Sequence, residues 1–111
     1  MVISILLPTR FVNKFKMLPY IRPEELRIAE KSIFDFLATK ECRIFRDTIE
    51  GYYKDGLNNF EVCDYIRLTV YASDEEVVDE LKNDLLPKIV FDLHQKSICM
   101  MVDNMTYFIR A

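Results

Sequence analysis

Over most of the run from Phe60 to Ala72 the chain alternates in character. Val62, Ile66, Leu68 and Val70 fall on one side, and Cys63, Tyr65, Arg67, Thr69 and Tyr71 on the other. A period of two is that of a pleated strand, whose successive side chains point to opposite faces. The preceding run from Arg43 to Tyr53 has strand composition in Ile44, Phe45, Thr48, Ile49, Tyr52 and Tyr53, with Gly51 suited to a bulge. Asp55-Gly56 and then Asn58-Asn59 supply turn residues between the two runs. The pair reads as one long hairpin. Its outer side, with Cys63, Tyr65, Thr69 and Tyr71, is too apolar to stay fully wet, so a partner is expected to cover it.

The remaining segments supply the layers around that hairpin. Val2 to Leu7 is a continuous apolar run, as expected of a central strand, and Pro8 ends it. Residues 8 to 22 show no clear periodicity, which is long for a plain connection and implies a functional segment or a further strand, with Phe11 to Phe15 open as an extension of the first. Pro23, Glu24 and Glu25 open a helix, because proline tolerates the first turn and carboxylates suit the positive end of the dipole. Leu26, Ala29, Ile33, Phe36 and Leu37 then form its apolar stripe to about Thr39, with Ile28 and Phe34 off the stripe. Ser73 to Glu76 reads as a capping box for a second helix ending near Gln95. Its stripe is Val77, Val78, Leu81, Leu85, Ile89 and Leu93, and Pro87 predicts a kink or break near 83–87. Ser97 to Val102 and Met105 to Arg110 read as strands, either turning at Asp103-Asn104 or running on as one bent strand.

This order predicts an α+β fold: a ferredoxin-like βαββαβ sandwich, with an antiparallel sheet, two helices on one face and an extra C-terminal edge strand or arm. It resembles, as topology alone, many small ferredoxin-like families, among them trimeric signalling proteins and dimeric α+β barrel proteins. No residue motif of any of them is matched, so no functional residue follows from that resemblance.

Composition narrows the chemistry. Half of the 111 residues are apolar and 30% are charged, with a net charge of −3, as in a packed globular chain. One domain, 1–111, is expected, burying roughly two-thirds of its unfolded surface. Gly51 and Gly56 are the only glycines, so no glycine-rich loop can cradle a phosphate. Cys42, Cys63 and Cys99 are odd in number, widely spaced and without a nearby histidine, which argues for reduced core residues rather than a disulfide framework or a zinc site. The first apolar run is too short for a signal peptide and no stretch spans a membrane, so a soluble cytoplasmic protein without a cofactor is expected.

Charge is unevenly placed. Residues 1–22 carry Arg10, Lys14, Lys16 and Arg22 with no acid, whereas residues 73–92 carry seven acids against Lys82 and Lys88. Phe11, Phe15 and Tyr20 interleave with the cations, so Arg10, Lys14, Lys16, Tyr20 and Arg22 are candidate ligands for an anion or an acidic partner. The net acidity argues against nucleic acid. Tyr65, Tyr71, Met105 and Tyr107 are candidate interface residues. His94 suits the cap of a helix C-terminus, and the acids of the second helix lack the spacing of a calcium loop.

The leading expectation is a non-catalytic module that binds copies of itself, through the open sheet face or an edge strand, together with an anionic ligand or protein partner. The alternative is a cofactor-free enzyme with its site between the sheet and residues 8–22, served by His94, a tyrosine such as Tyr52, and Arg10 or Arg22. A small effector from a mobile element is the third reading.

Overall fold

The first strand, β1 (Val2–Pro8), lies at the middle of a five-stranded antiparallel sheet in a computed structural model that describes residues 1–12, 17–54, 57 and 59–111. After it come a short β2 (Arg10–Val12) and β3 (Met17–Tyr20), helix α1 (Pro23–Thr39), and the long strands β4 (Arg43–Lys54) and β5 (Phe60–Tyr71). The second helix is built of α2 (Glu75–Glu80), a π-helical turn (Leu81–Leu85) and α3 (Leu86–Asp92). Strands β6 (Ile98–Val102) and β7 (Met105–Ile109) complete the chain. The sheet order is β4-β5-β1-β6-β7, compatible with the ferredoxin-like plan, with β7 as the added edge strand.

Alternation decides which side is dry. Ile3, Ile5 and Leu7 of β1, Leu68 and Val70 of β5 and Met100 of β6 are fully buried on the side facing the helices. Against them pack Ala29, Ile33 and Leu37 of α1, then Val77 and Leu81, and finally Leu86, Ile89 and Val90. Phe34 joins the edge of this core, whereas Ile28 is 66% exposed. Removing any one of the fully buried leucines or isoleucines down to alanine costs about 2–5 kcal/mol.

Several local details differ from the sequence reading for physical reasons. Residues 10–12 and 17–20 do not extend β1 but pair with each other as a separate two-stranded sheet. Gly51 sits in an unbroken β4–β5 register, so there is no bulge there. The cap of the second helix is Asp74 rather than Ser73, its carboxylate accepting the Glu76 N–H at 2.9 Å. That helix ends at Asp92 instead of Gln95. The strain expected at Pro87 is taken up just before it: the Leu86 N–H donates to the Leu81 carbonyl, five residues back. Proline removes one hydrogen bond and crowds the turn before it, and the π turn absorbs this without breaking the helix. It also moves the buried stripe on by one position, so Leu86 rather than Leu85 is fully buried. Asp103-Asn104 forms a two-residue turn, which makes the last two strands a hairpin. The turn residues Asp55, Gly56 and Asn58 lie outside the described residues.

Both helices end in the same way. Glu41 (φ 56°) and His94 (φ 53°) adopt the left-handed conformation, and the following residues, Cys42 and Gln95, donate to the carbonyls of Leu37 and Val90. This is the Schellman closure that glycine normally occupies. The three cysteines are unpaired, with Cys63 buried and the other two half-buried. Among the described residues, no helix is long and apolar enough to cross a membrane. Relieving the left-handed strain at Glu41 recovers roughly 1–2 kcal/mol, against roughly 0.4–1 kcal/mol for the freer unfolded chain. Glu41→Gly is therefore expected to raise stability by about 0.5–1 kcal/mol, read as a higher urea midpoint at unchanged slope. Glu41→Val should lower it.

Candidate functional site

The β4–β5 hairpin reaches beyond the helices that cover the rest of the sheet. Arg46, Thr48, Glu50 and Tyr52 follow one another on the helix side of β4, and their partners across the ladder are Leu68, Ile66, Asp64 and Val62. Helix α1 reaches as far as Arg46, whose Nε donates to Glu30 at 2.7 Å. Beyond it the strands are uncovered. Here a cleft of about 570 Å³ opens, lined by Thr9, Arg46, Thr48, Ile49, Glu50, Asp64 and Ile66. The turn after β1 closes one end, where the Thr9 hydroxyl donates to the Asp64 carbonyl at 2.7 Å.

The charge arrangement in this cleft has a physical cost. Glu50 and Asp64 stand directly opposite each other in the register, which brings the Cβ atoms of two like-charged side chains to about 5 Å and destabilises the pair. Tyr52 leans back on the same group, its hydroxyl donating to Glu50 Oε2 at 2.9 Å. That bond and the carboxylate charge hold the Tyr52 hydroxyl above its ordinary pKa. The cleft thus offers two adjacent carboxylates, two threonine hydroxyls and an arginine at its inner end, with the Tyr52 phenol bonded to Glu50 beside it. Such a set suits a ligand with cationic centres and one anionic group. Among the described residues, no cluster of histidine, cysteine and carboxylates could hold a metal ion.

Below the cleft, on the other face of the sheet, Tyr65 lies flat across Gly51. A Cβ at Gly51 would collide with Tyr65 Cε2 and stand 2.9 Å from Cδ2. The absence of a side chain at 51 therefore leaves room for the ring, and this contact, not a bulge, is what the glycine serves. Next to the ring, burial pushes the Cys63 thiol above its ordinary pKa.

The residues singled out from sequence are not gathered at one place. Of the basic set, Arg10 is half-buried and its carbonyl accepts from Gln95 at 3.4 Å, while Arg22 is exposed at the start of α1. Lys14 and Lys16 lie outside the described residues, as does the Tyr20 side chain. His94 serves the helix closure and is not among the residues lining the cleft. Tyr65 and Tyr71 share the helix-free face; Met105 and Tyr107 point to the helix side, where Lys82 Nζ lies 4.4 Å from the Tyr107 ring centroid. Arg46, Glu50 and Asp64 escaped the sequence reading. The signal for them is the register itself, since only pairing shows that two carboxylates fourteen positions apart face each other.

No protein-family model and no curated protein matches this chain. Two solved structures do. One is a phage SAM lyase in its apo state, with TM-score 0.59 and 11% identity over 99% of this chain and 88% of that one. The other is a phage SAM lyase in complex with S-methyl-5′-thioadenosine, with TM-score 0.63 and 12% identity over the same shares. The likeness is one of fold.

The Gly51 contact can be tested directly. Gly51→Ala should cost about 1–3 kcal/mol through overpacking. Most of that loss should vanish in a Tyr65→Ala background, as measured in a double-mutant cycle by urea unfolding.

Proposed function

We propose that this chain is a small enzyme that binds S-adenosylmethionine in the cleft at the base of the β4–β5 hairpin and releases S-methyl-5′-thioadenosine. The observation that carries this reading is the likeness of fold, over nearly the whole chain, to a phage SAM lyase, one copy of which holds that same thioether nucleoside. The cleft supports it by charge. S-adenosylmethionine bears a sulfonium, an ammonium and a carboxylate, and Glu50, Asp64 and Arg46 offer the opposite signs. A bound cation between Glu50 and Asp64 would also remove the repulsion those residues otherwise carry.

The reaction needs no outside reagent. The bond between the γ carbon and sulfur breaks, and its electron pair stays on sulfur, which leaves as the neutral thioether. The substrate's own carboxylate forms the new C–O bond at the γ carbon, and the second product is a five-membered lactone. Charge is neutralised along the way. The contribution of the protein is therefore to fold the substrate so that carboxylate and γ carbon meet, and to exclude water. In this role Glu50 and Asp64 hold the cationic end, and Tyr52 keeps Glu50 oriented. The phage source of both neighbours fits an effector carried by a mobile element.

Incubation of the purified chain with S-adenosylmethionine, followed by chromatography, should yield S-methyl-5′-thioadenosine and the lactone in equal amounts. Glu50→Gln should lower kcat/KM at least about tenfold, a loss of ~1.4 kcal/mol in transition-state binding. No product from the folded wild-type protein would contradict the proposal.

A further inference from the structure

Two arginines of the β4–β5 ladder are used differently. Arg67, on the helix-free face, gives both prongs of its guanidinium to Asp47: Nε donates to Oδ1 at 2.9 Å and a terminal nitrogen to the other oxygen. Arg46, on the helix side, gives only its Nε, to Glu30 of α1 at 2.7 Å. Among the described residues its two terminal nitrogens take no protein partner, and its side chain is 47% exposed where it lines the cleft. An arginine fixed through Nε keeps a parallel pair of donors at its end, the geometry that grips a carboxylate by both oxygens.

Glu30 can hold that fork because it is itself fixed. Its side chain is only 14% exposed, and it follows Ala29, which with Ile33 and Leu37 seats α1 on the sheet. An exposed arginine on a strand would otherwise move freely about its long stem, and ordering it at the moment of binding weakens affinity. The acidic end of the cleft lies along the same line. Glu50 is four residues further on the same face of β4, about 13 Å from Arg46 between Cα atoms at 3.3 Å per residue. An α-ammonium drawn toward Glu50 and an α-carboxylate drawn toward Arg46 would lie between these two side chains.

We propose that Glu30 is a positioning residue: it presents the Arg46 fork to the cleft and so selects nucleosides that carry an α-carboxylate. This rests on the nucleoside site proposed above and adds to it the group that reads the amino-acid end. A two-pronged grip occupies two of the four lone-pair sites of a carboxylate, so an oxygen can still attack the γ carbon. The groove between α1 and α3, about 280 Å³, also holds a cation, Lys88, but no arginine lines it, and Glu25 and Asp92 beside that cation oppose a carboxylate.

The test is calorimetric binding of two thioethers to the intact chain. S-methyl-5′-thioadenosine and S-adenosylhomocysteine share the adenosine and the neutral sulfur, and only the second carries the amino acid. Glu30→Ala should weaken S-adenosylhomocysteine at least about fivefold (~1 kcal/mol) while changing S-methyl-5′-thioadenosine by less than about twofold. Glu30→Gln, which keeps an acceptor for Nε, should recover most of that loss. In an Arg46→Leu background Glu30→Ala should have no further effect, and Lys88→Ala should leave both affinities as they are. Should Arg46→Leu not fold, the comparison of alanine with glutamine at position 30 decides. Equal weakening of both nucleosides, unchanged binding of S-adenosylhomocysteine, no recovery in Glu30→Gln, an effect that persists in the Arg46→Leu background, or a selective loss in Lys88→Ala would each overturn the inference. A wild type that binds S-methyl-5′-thioadenosine but does not respond at Glu30 contradicts this inference alone, whereas one that binds neither nucleoside removes the site and this inference with it.

Discussion

Strand β1 must find partners from two distant parts of the chain. It pairs with β5 from Val2↔Tyr71 to Pro8↔Tyr65, and with β6 from Ile3↔Val102 to Leu6↔Cys99. Its first residues are tied on both sides: Met1 exchanges main-chain bonds with Ala72, and Val2 bonds both the carboxylate and the N–H of Asp103. With Ile3, Ile5 and Leu7 fully buried under both helices, this strand joins the two halves into one core. Contacts of such long sequence separation make folding slow but place the ends of the neighbouring strands reproducibly. The cleft depends on that placement, because the turn that follows β1 at Thr9 is what closes it against Asp64.

The second helix shows how a local conflict is settled without disturbing the layers. Its apolar residues need to face the sheet along its whole length, and Pro87 forbids a regular α-helix there. A single π turn meets both demands, with the step from Leu81 to Leu86 keeping both residues fully buried. A kink would have turned one half of the helix away from Ile5 and Met100, at a cost of several buried side chains.

The layers were legible in the sequence because each rests on a periodicity. Phe60 to Tyr71 alternates, α1 repeats at three and four, and two apolar runs flank them, so strands, helices and their buried sides follow from spacing alone. The details that were not legible depend on partners distant in sequence. Gly51 looked like a bulge because nothing local reveals the Tyr65 ring above it. Asp74 displaced Ser73 as the cap by a choice of backbone angle that both residues allow. The candidate site was hidden for the same reason. Glu50 and Asp64 are unremarkable surface acids until the register sets them face to face, whereas the basic run near the N-terminus drew attention by composition.

Under the proposed function, the uncovered base of the β4–β5 hairpin binds a cationic nucleoside and its thioether product. A crystal structure of the protein with S-methyl-5′-thioadenosine tests it most directly. The nucleoside should lie between Arg46, Glu50 and Asp64, with Thr9 and Thr48 at its edge. Nucleoside density in the groove between α1 and α3, with this cleft empty, would contradict it.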